Sequence, residues 1–435
     1  MFLALAAASL ALHPAPDVTV TRQGDSWIAT YDFPAPQKAW AFNRSALDRA
    51  TNASWRVGNW EVLDRGVTLE RHDGADMLVA TGRSVPRKVR LRFTPHAREL
   101  NADYEPALAF SDGSLALFTG HFDVKPAGAT DGLINRLTLR APGQTILVNG
   151  KTHRGSVTLV EPGTYALIGE IDPIETPYLT GFVDPGLPAW AREELIEFMP
   201  AALEYYSQEL GARGDDDKPT IMVSWKGPTP QMAGLSGSAL KGLIAMGIEG
   251  EGVSQPDALM AHRMRWFIAH EAAHFWLGQV VQYDEEGDAW IMEGGADLAA
   301  IRAVSDLVPG FDAHGEEARE WRECEAALHK GTLDTARQRG DFQMPYSCGA
   351  VLMMGAEAVN GGDYFGFVRD LFAAEQDDGF ASTADWLAAF ERAGASRKAI
   401  ALARSIASEK LSDPARTLAE FAREAKITLS PAETA

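Results

Sequence analysis

Two cysteines, Cys324 and Cys348, in a chain of 435 residues are too few for a disulfide scaffold. The count leaves one bridge or two free thiols. Basic residues are also scarce: 40 Lys and Arg stand against 60 Asp and Glu, for a formal net charge of −20. A surface of that sign repels phosphate backbones and anionic lipid, and no basic cluster or basic helix face offsets it locally. Nucleic acid is therefore not an expected partner. Long apolar runs are missing too, since none reaches the roughly 18 residues of a membrane span. The apolar stretch "MFLALAAASLAL" ahead of Pro14 and Pro16 has the length of a signal-peptide core. A signal peptide over residues 1–16, with export to a periplasm or the exterior, is the expectation. That stretch lacks a basic start, so a frayed hydrophobic N-terminus is the alternative. There is no internal repeat and no low-complexity tail, and 46% hydrophobic with 23% charged residues is the balance of a globular protein.

What is present divides into two periodicities. From Asp17 to about Thr180, segments such as "DVTVT", "GVTLERH", "KVRLRF" and "SVTLV" alternate with period two between Gly, Asp and Pro turns. Such alternation predicts a mostly antiparallel β-sandwich over 17–180. Its histidines, His72, His96, His121 and His153, are scattered and read as packed or solvated. After "VDPGLP" the apolar spacing changes to three and four residues in "AWAREELIEFMPAALEYYSQELG", which starts a second, mostly helical domain over 181–435. Within it "TIMVSW" reads as a short buried strand and "MAGLSGSALKGLIAM" as a Gly-punctuated edge strand. A helix is expected from about Gln255 to Val281, with Ser254 as its N-cap. The fold class is thus α+β: a sandwich followed by a helical domain with a small sheet.

The helix at "FIAHEAAHFWLGQ" carries the chemistry. Residues four apart share a helix face, about 5–6 Å apart at Cβ, so His270 and His274 can reach one metal ion. Glu271 is turned off the ligand direction but stays beside the open coordination position. A chance HExxH occurs on the order of once in a hundred chains of this length, so the motif alone does not decide. Catalytic zinc takes three protein ligands and a water. Glu293 supplies the third, with eighteen residues between it and His274. Asp297, one turn further on, is placed to accept the free ring N–H of a ligand histidine.

The span from His270 to Asp297 resembles the gluzincin zinc peptidases, among them the aminopeptidase-N-like and glycyl-aminopeptidase-like families. Trp276 and Gly278 match their "HxWxG", Asp288, Trp290 and Glu293 match "DxWxxEG", and the spacing from Glu293 to Asp297 is similar to that of thermolysin-type enzymes. The resemblance covers about residues 188–394 and implies a thermolysin-like catalytic domain, zinc as cofactor and peptides as substrates. It also implies that Tyr346 in "MPYSCGAVLMM" is a transition-state hydrogen-bond donor. Cys348 stands where that pattern has lysine, a change that permits a bridge to Cys324. The family's edge strand carries a glutamate for the substrate's amino group. The corresponding Ala233–Met246 segment has no acid, and Glu249 and Glu251 follow it in a turn-like "GIEGEG". Backbone from Gly234 through Leu235, Ser236, Gly237 and Ser238 to Ala239 is expected to hold an extended peptide as an added strand. The expected function is a zinc peptidase with an aminopeptidase-like core. Its alternatives are an endopeptidase or hydrolase of modified amides, and an inactive zinc-binding scaffold of the same fold.

Overall fold

The computed structural model describes residues 15–130, 132–159, 163–170, 172–213, 218–375 and 379–428. The expected signal peptide falls on residues 1–14 almost entirely, outside the described residues. No helix among the described residues is long and apolar enough to cross a membrane. The chain forms two compact units, Met1–Asp172 and Pro173–Ala435.

In the first unit two sheets share one core. The larger runs Trp60–Val62, Lys88–Phe93, Ser26–Asp32, Asp17–Gln23, Arg136–Val148, Tyr165–Gly169, Leu115–Phe118 and Ala107–Ala109, with Lys151–Leu159 also on Arg136–Val148. The smaller runs Val124–Pro126, Ala39–Phe42, Ala75–Ala80 and Val67–His72. Pairing is antiparallel except where Asp17–Gln23 lies parallel to Arg136–Val148. "KVRLRF" shows the period-two logic: Val89, Leu91 and Phe93 are buried while Lys88, Arg90 and Arg92 are exposed. Phe93 stacks on Trp60 at 4.6 Å, in the same buried cluster as Trp40 and Phe42 of the smaller sheet. The histidines here are accounted for locally. His121 lies 2.8 Å from the Tyr104 carbonyl, His96 lies 3.0 Å from Asp48, and exposed His72 pairs with Glu70.

The second unit opens with strands β1 (Ile174–Glu175), on the sandwich side of the boundary expected at 180/181, and β2 (Thr180–Val183), which spans that boundary. They belong here because β2 pairs in parallel with β3 (Thr220–Trp225). After helix α1 (Ala189–Leu210) and β3 come β4 (Gly234–Leu240) and β5 (Leu243–Glu249), giving the sheet order β1-β2-β3-β5-β4. β4 pairs antiparallel to β5 and is the edge of the sheet. Helices α2 (Ala258–Ala273), α3 (Trp290–Leu307), α4 (Ala313–Leu328) and α5 (Met344–Val359) follow, then four shorter helices to Ala425. Apolar faces of α1, α2, α3 and α5 merge with Val223, Ile244, Met246 and Ile248 of the sheet in one core.

α2 is shorter than the 255–281 expected. Asp257, not Ser254, caps it, its carboxylate accepting from the Met260 N–H at 2.8 Å. At the far end the Cα trace tightens after Ala273 into i→i+3 bonds from His274, Phe275 and Trp276. Gly278 then adopts φ +114, a conformation open to glycine. Cys324 of α4 and Cys348 of α5 form a disulfide, closing the choice left by the cysteine count.

Candidate active site

His270 and His274 stand one turn apart at the end of α2, and Glu293 enters from the first turn of α3. Their ligand atoms converge. His270 Nε2 and His274 Nε2 are 3.1 Å apart, and Glu293 Oε2 lies 3.3 Å from His274 Nε2 and 3.9 Å from His270 Nε2. Tetrahedral bonds of about 2.0–2.1 Å place neighbouring ligand atoms roughly 3.3 Å apart, so this triangle has the size of a zinc site. Among the described residues it is the one group of three or more metal-type ligands so arranged.

The His274 tautomer agrees with that reading. His274 Nδ1 faces the Leu277 carbonyl at 2.9 Å, so its N–H sits there and Nε2 presents a lone pair. His270 Nδ1 lies 2.7 Å from Asp297 Oδ1, with the oxygen off the ring N–H direction. Two imidazole lone pairs and a carboxylate aimed at one point repel each other unless a cation sits between them. Without a metal a proton takes that part. Burial would lower the pKa of His274, but adjacent Glu293 outweighs it and raises it to about 9. Burial would raise Glu293, yet His274 and His270 hold it down to about 2. His270, buried and beside His274, is lowered to about 4.

Glu271 and Tyr346 border this point. Burial pushes the Glu271 carboxyl above its usual range, the direction a general base near neutral pH needs. The Tyr346 ring stacks on His270 with centroids 5.6 Å apart. Burial, then the charge of Glu293, raises its phenol well above the ordinary value, so it stays protonated as a donor.

Small residues set these distances. A Cβ built on Gly294, next to Glu293, would overlap the backbone of Gly349 and Ala350, and one on Gly349 would overlap the Trp290 carbonyl. The glycine pair lets α3 and α5 approach closely enough to bring Tyr346, one turn before Gly349, beside the ligand set. The neighbouring motif residues are framework. Trp276 Nε1 donates to the Gly211 carbonyl at 2.9 Å, Trp290 Nε1 donates to Thr383 Oγ1 at 3.1 Å, and Asp288 accepts from the N–H and hydroxyl of Thr383.

β4 passes directly by Glu271. A Cβ on Gly237 would overlap the Glu271 carboxylate, so glycine is required there. Alternation puts Leu235 and Ala239 on the same face as Gly237, and both pack against the helical core. Gly234, Ser236 and Ser238 point to the other face, where a Cβ on Gly234 would lie 2.9 Å from Glu249 Cγ. Glu249 is therefore across the sheet from Glu271, and Glu251 sits in a short 3₁₀ turn beyond it. Neither occupies the strand face that meets Glu271.

One participant escaped the sequence reading. Arg337, in the short 3₁₀ turn Arg337–Arg339, donates from Nη2 to Glu293 Oε1 at 2.6 Å. Nothing in "TARQRGD" marks it, since its partner is 44 positions away and the turn has no periodicity.

Solved structures share this architecture across nearly the whole chain. An M1 zinc metallopeptidase from Deinococcus radiodurans is 16% identical, with 91% of this chain and 94% of that chain covered at a TM-score of 0.51. The fold is that of M1 zinc metallopeptidases. A variant from the same organism bound to a Tyr-Ser-Ala substrate aligns at 16% identity, 91% and 95% coverage and a TM-score of 0.50. Yeast LTA4 hydrolase in complex with bestatin aligns at 13% identity, 91% and 67% coverage and a TM-score of 0.53. No protein-family model and no curated protein sequence matches the chain.

Proposed function

We propose that this chain is a zinc-dependent hydrolase of peptide bonds, with His270, His274 and Glu293 as ligands. The observation that carries the reading is the convergence of those three ligand atoms beside Glu271, at the point where Gly237 of the edge strand comes closest. A zinc ion held there supplies an acidified water and a Lewis acid for a carbonyl oxygen. Glu271 accepts a proton from the attacking water and returns it to the leaving amine. Tyr346 donates its hydroxyl hydrogen bond to the oxygen that gains negative charge. Asp297 orients His270 from behind. The outer edge of β4 offers backbone N–H and C=O groups to an extended peptide, a mode that asks little of its side chains.

A second reading concerns which bond is cut. Leu235 and Ala239 give the Glu271 side of the edge strand no negative charge for a free ammonium group, which favours internal or N-blocked amide bonds over N-terminal ones. The test is a matched panel of free-amine and N-acylated peptides, assayed with wild type, Glu271→Gln and Tyr346→Phe. Glu271→Gln should keep about one zinc per chain and lose hydrolysis. Tyr346→Phe should lower kcat by roughly 10²–10³ with metal content unchanged. Full activity in Glu271→Gln would remove the proposed base. Faster turnover of the free-amine members would overturn the second reading and leave the first standing.

A further inference from the structure

Glu293 divides its two oxygens between different partners, and the division bears on how many coordination positions a metal has left. Oε2 faces the two imidazoles. Oε1 is held by Arg337 Nη2 at 2.6 Å. The guanidinium is itself anchored: its Nη1 reaches the Tyr283 hydroxyl at 3.4 Å, and its carbon lies 5.7 Å from the centre of the Tyr283 ring. Tyr283 in turn belongs to a two-residue strand, Gln282–Tyr283, paired with Phe380–Ala381. On the other side, the turn bearing Arg337 is closed by left-handed Gly340 at φ +78 and by the Asp341 N–H donating to the Ala336 carbonyl at 3.0 Å. Both side chains are mostly shielded, 20% exposed for Arg337 and 15% for Glu293. Screening of this pair is correspondingly weak.

A carboxylate with both oxygens free can bind one metal ion through both of them, which fills the position a substrate or water requires. Committing Oε1 to a guanidinium prevents this. We propose that Arg337 is a positioning residue that restricts Glu293 to a single metal-directed oxygen and so preserves the open coordination position. This rests on the zinc reading above and adds a residue to it. Arg337 touches neither substrate nor reacting atoms in this role, and it works through Glu293. Lysine in its place can hold Oε1 with one bond, whereas methionine fills similar space and holds nothing.

The test uses the full chain loaded with cobalt(II), whose visible absorption weakens as its coordination number rises above four. Wild type, Arg337→Met and Arg337→Lys are compared at equal metal occupancy, with the thermal melt of each metal-free protein recorded alongside. The Arg337→Met absorption band should fall to roughly half or less of the wild-type intensity, as geometry-sensitive spectra do when a ligand is added. Arg337→Lys should restore most of it, and peptide hydrolysis should follow the same order with metal content held at one per chain. An Arg337→Met band of wild-type shape and intensity would overturn the proposal, whatever the activity. If Arg337→Met does not fold, an Arg337→Lys spectrum as weakened as that of a five-coordinate site would overturn it, and a wild-type-like spectrum with a wild-type melt would support it. Failure of the wild-type protein to take up cobalt at all would strike at the zinc reading itself, a result distinguishable from either.

Discussion

Lowering the pH should weaken zinc binding by a defined slope. In the metal-free protein His274 is held protonated up to about 9 by Glu293, while Glu293 is ionised above about 2 and His270 is neutral above about 4. Between pH 5 and 6.5, then, binding must expel one ligand proton, the one on His274. The apparent association constant should rise tenfold per pH unit, or about 30-fold across this window, since each unit corresponds to about 1.4 kcal/mol. At pH 6 the proton competes with the metal by about 4 kcal/mol, from three units at that conversion. The sign follows from the raised pKa: the competing proton is fully bound below the window and leaves only as pH approaches 9. Competition against a chelator with known protonation constants, at fixed ionic strength, measures the slope. A slope near zero would mean that His274 is already neutral and that the Glu293 contact is not an ion pair. A slope near two would mean that a second buried proton leaves on binding, from His270 or from Asp297 beside it, whose carboxyl burial pushes well above its usual range.

Two further outcomes test the framework. Gly294→Ala in an exposed helix would stabilise by up to about 1 kcal/mol, but here the new methyl group meets the Gly349 and Ala350 backbone. The protein should instead lose about 1–3 kcal/mol in urea unfolding, with kcat reduced as Tyr346 shifts; a raised melting temperature would refute the close helix contact. Thiol titration of the unreduced, denatured protein should find none, and replacing Cys324 and Cys348 by serine should cost about 3–4 kcal/mol for the loop they close; two titratable thiols would exclude the bridge.

The convergence of the three candidate ligands was legible because helical spacing is a local code: His270 and His274 share a face through periodicity alone, and Glu293 follows at a fixed distance in a second helix. The period-two strands of the sandwich were legible for the same reason. Boundaries were less so. Ser254 and Asp257 are both good N-caps, and what selects Asp257 is which carboxylate or hydroxyl reaches the Met260 N–H. Helical periodicity continued through "HFWLGQ" although Gly278 turns the chain, because Trp276 and Leu277 remain buried after the helix has ended. The boundary expected at 180/181 falls after the division at Asp172 and Pro173, because Ile174–Glu175 carries no pattern of its own and only its pairing with Thr180–Val183 assigns it to the second unit. Arg337 was invisible for a different reason: a contact made across 44 residues from an irregular turn leaves no pattern in the sequence. The side of the sheet taken by Glu249 likewise depends on register, and a one-residue slip would reverse it.

β4, as the edge of its sheet, leaves one side of its backbone open to unwanted strands. Proteins commonly blunt such margins with lysine, proline or a bulge, none of which occurs within Gly234–Leu240, "GLSGSAL". Its protection has another origin. Two glycines and two serines in seven positions make a poor template for spontaneous sheet growth, so chance strands gain little there. A segment that adheres must be fastened by something besides main-chain pairing, which hands the choice of visitor to the side chains beside the strand.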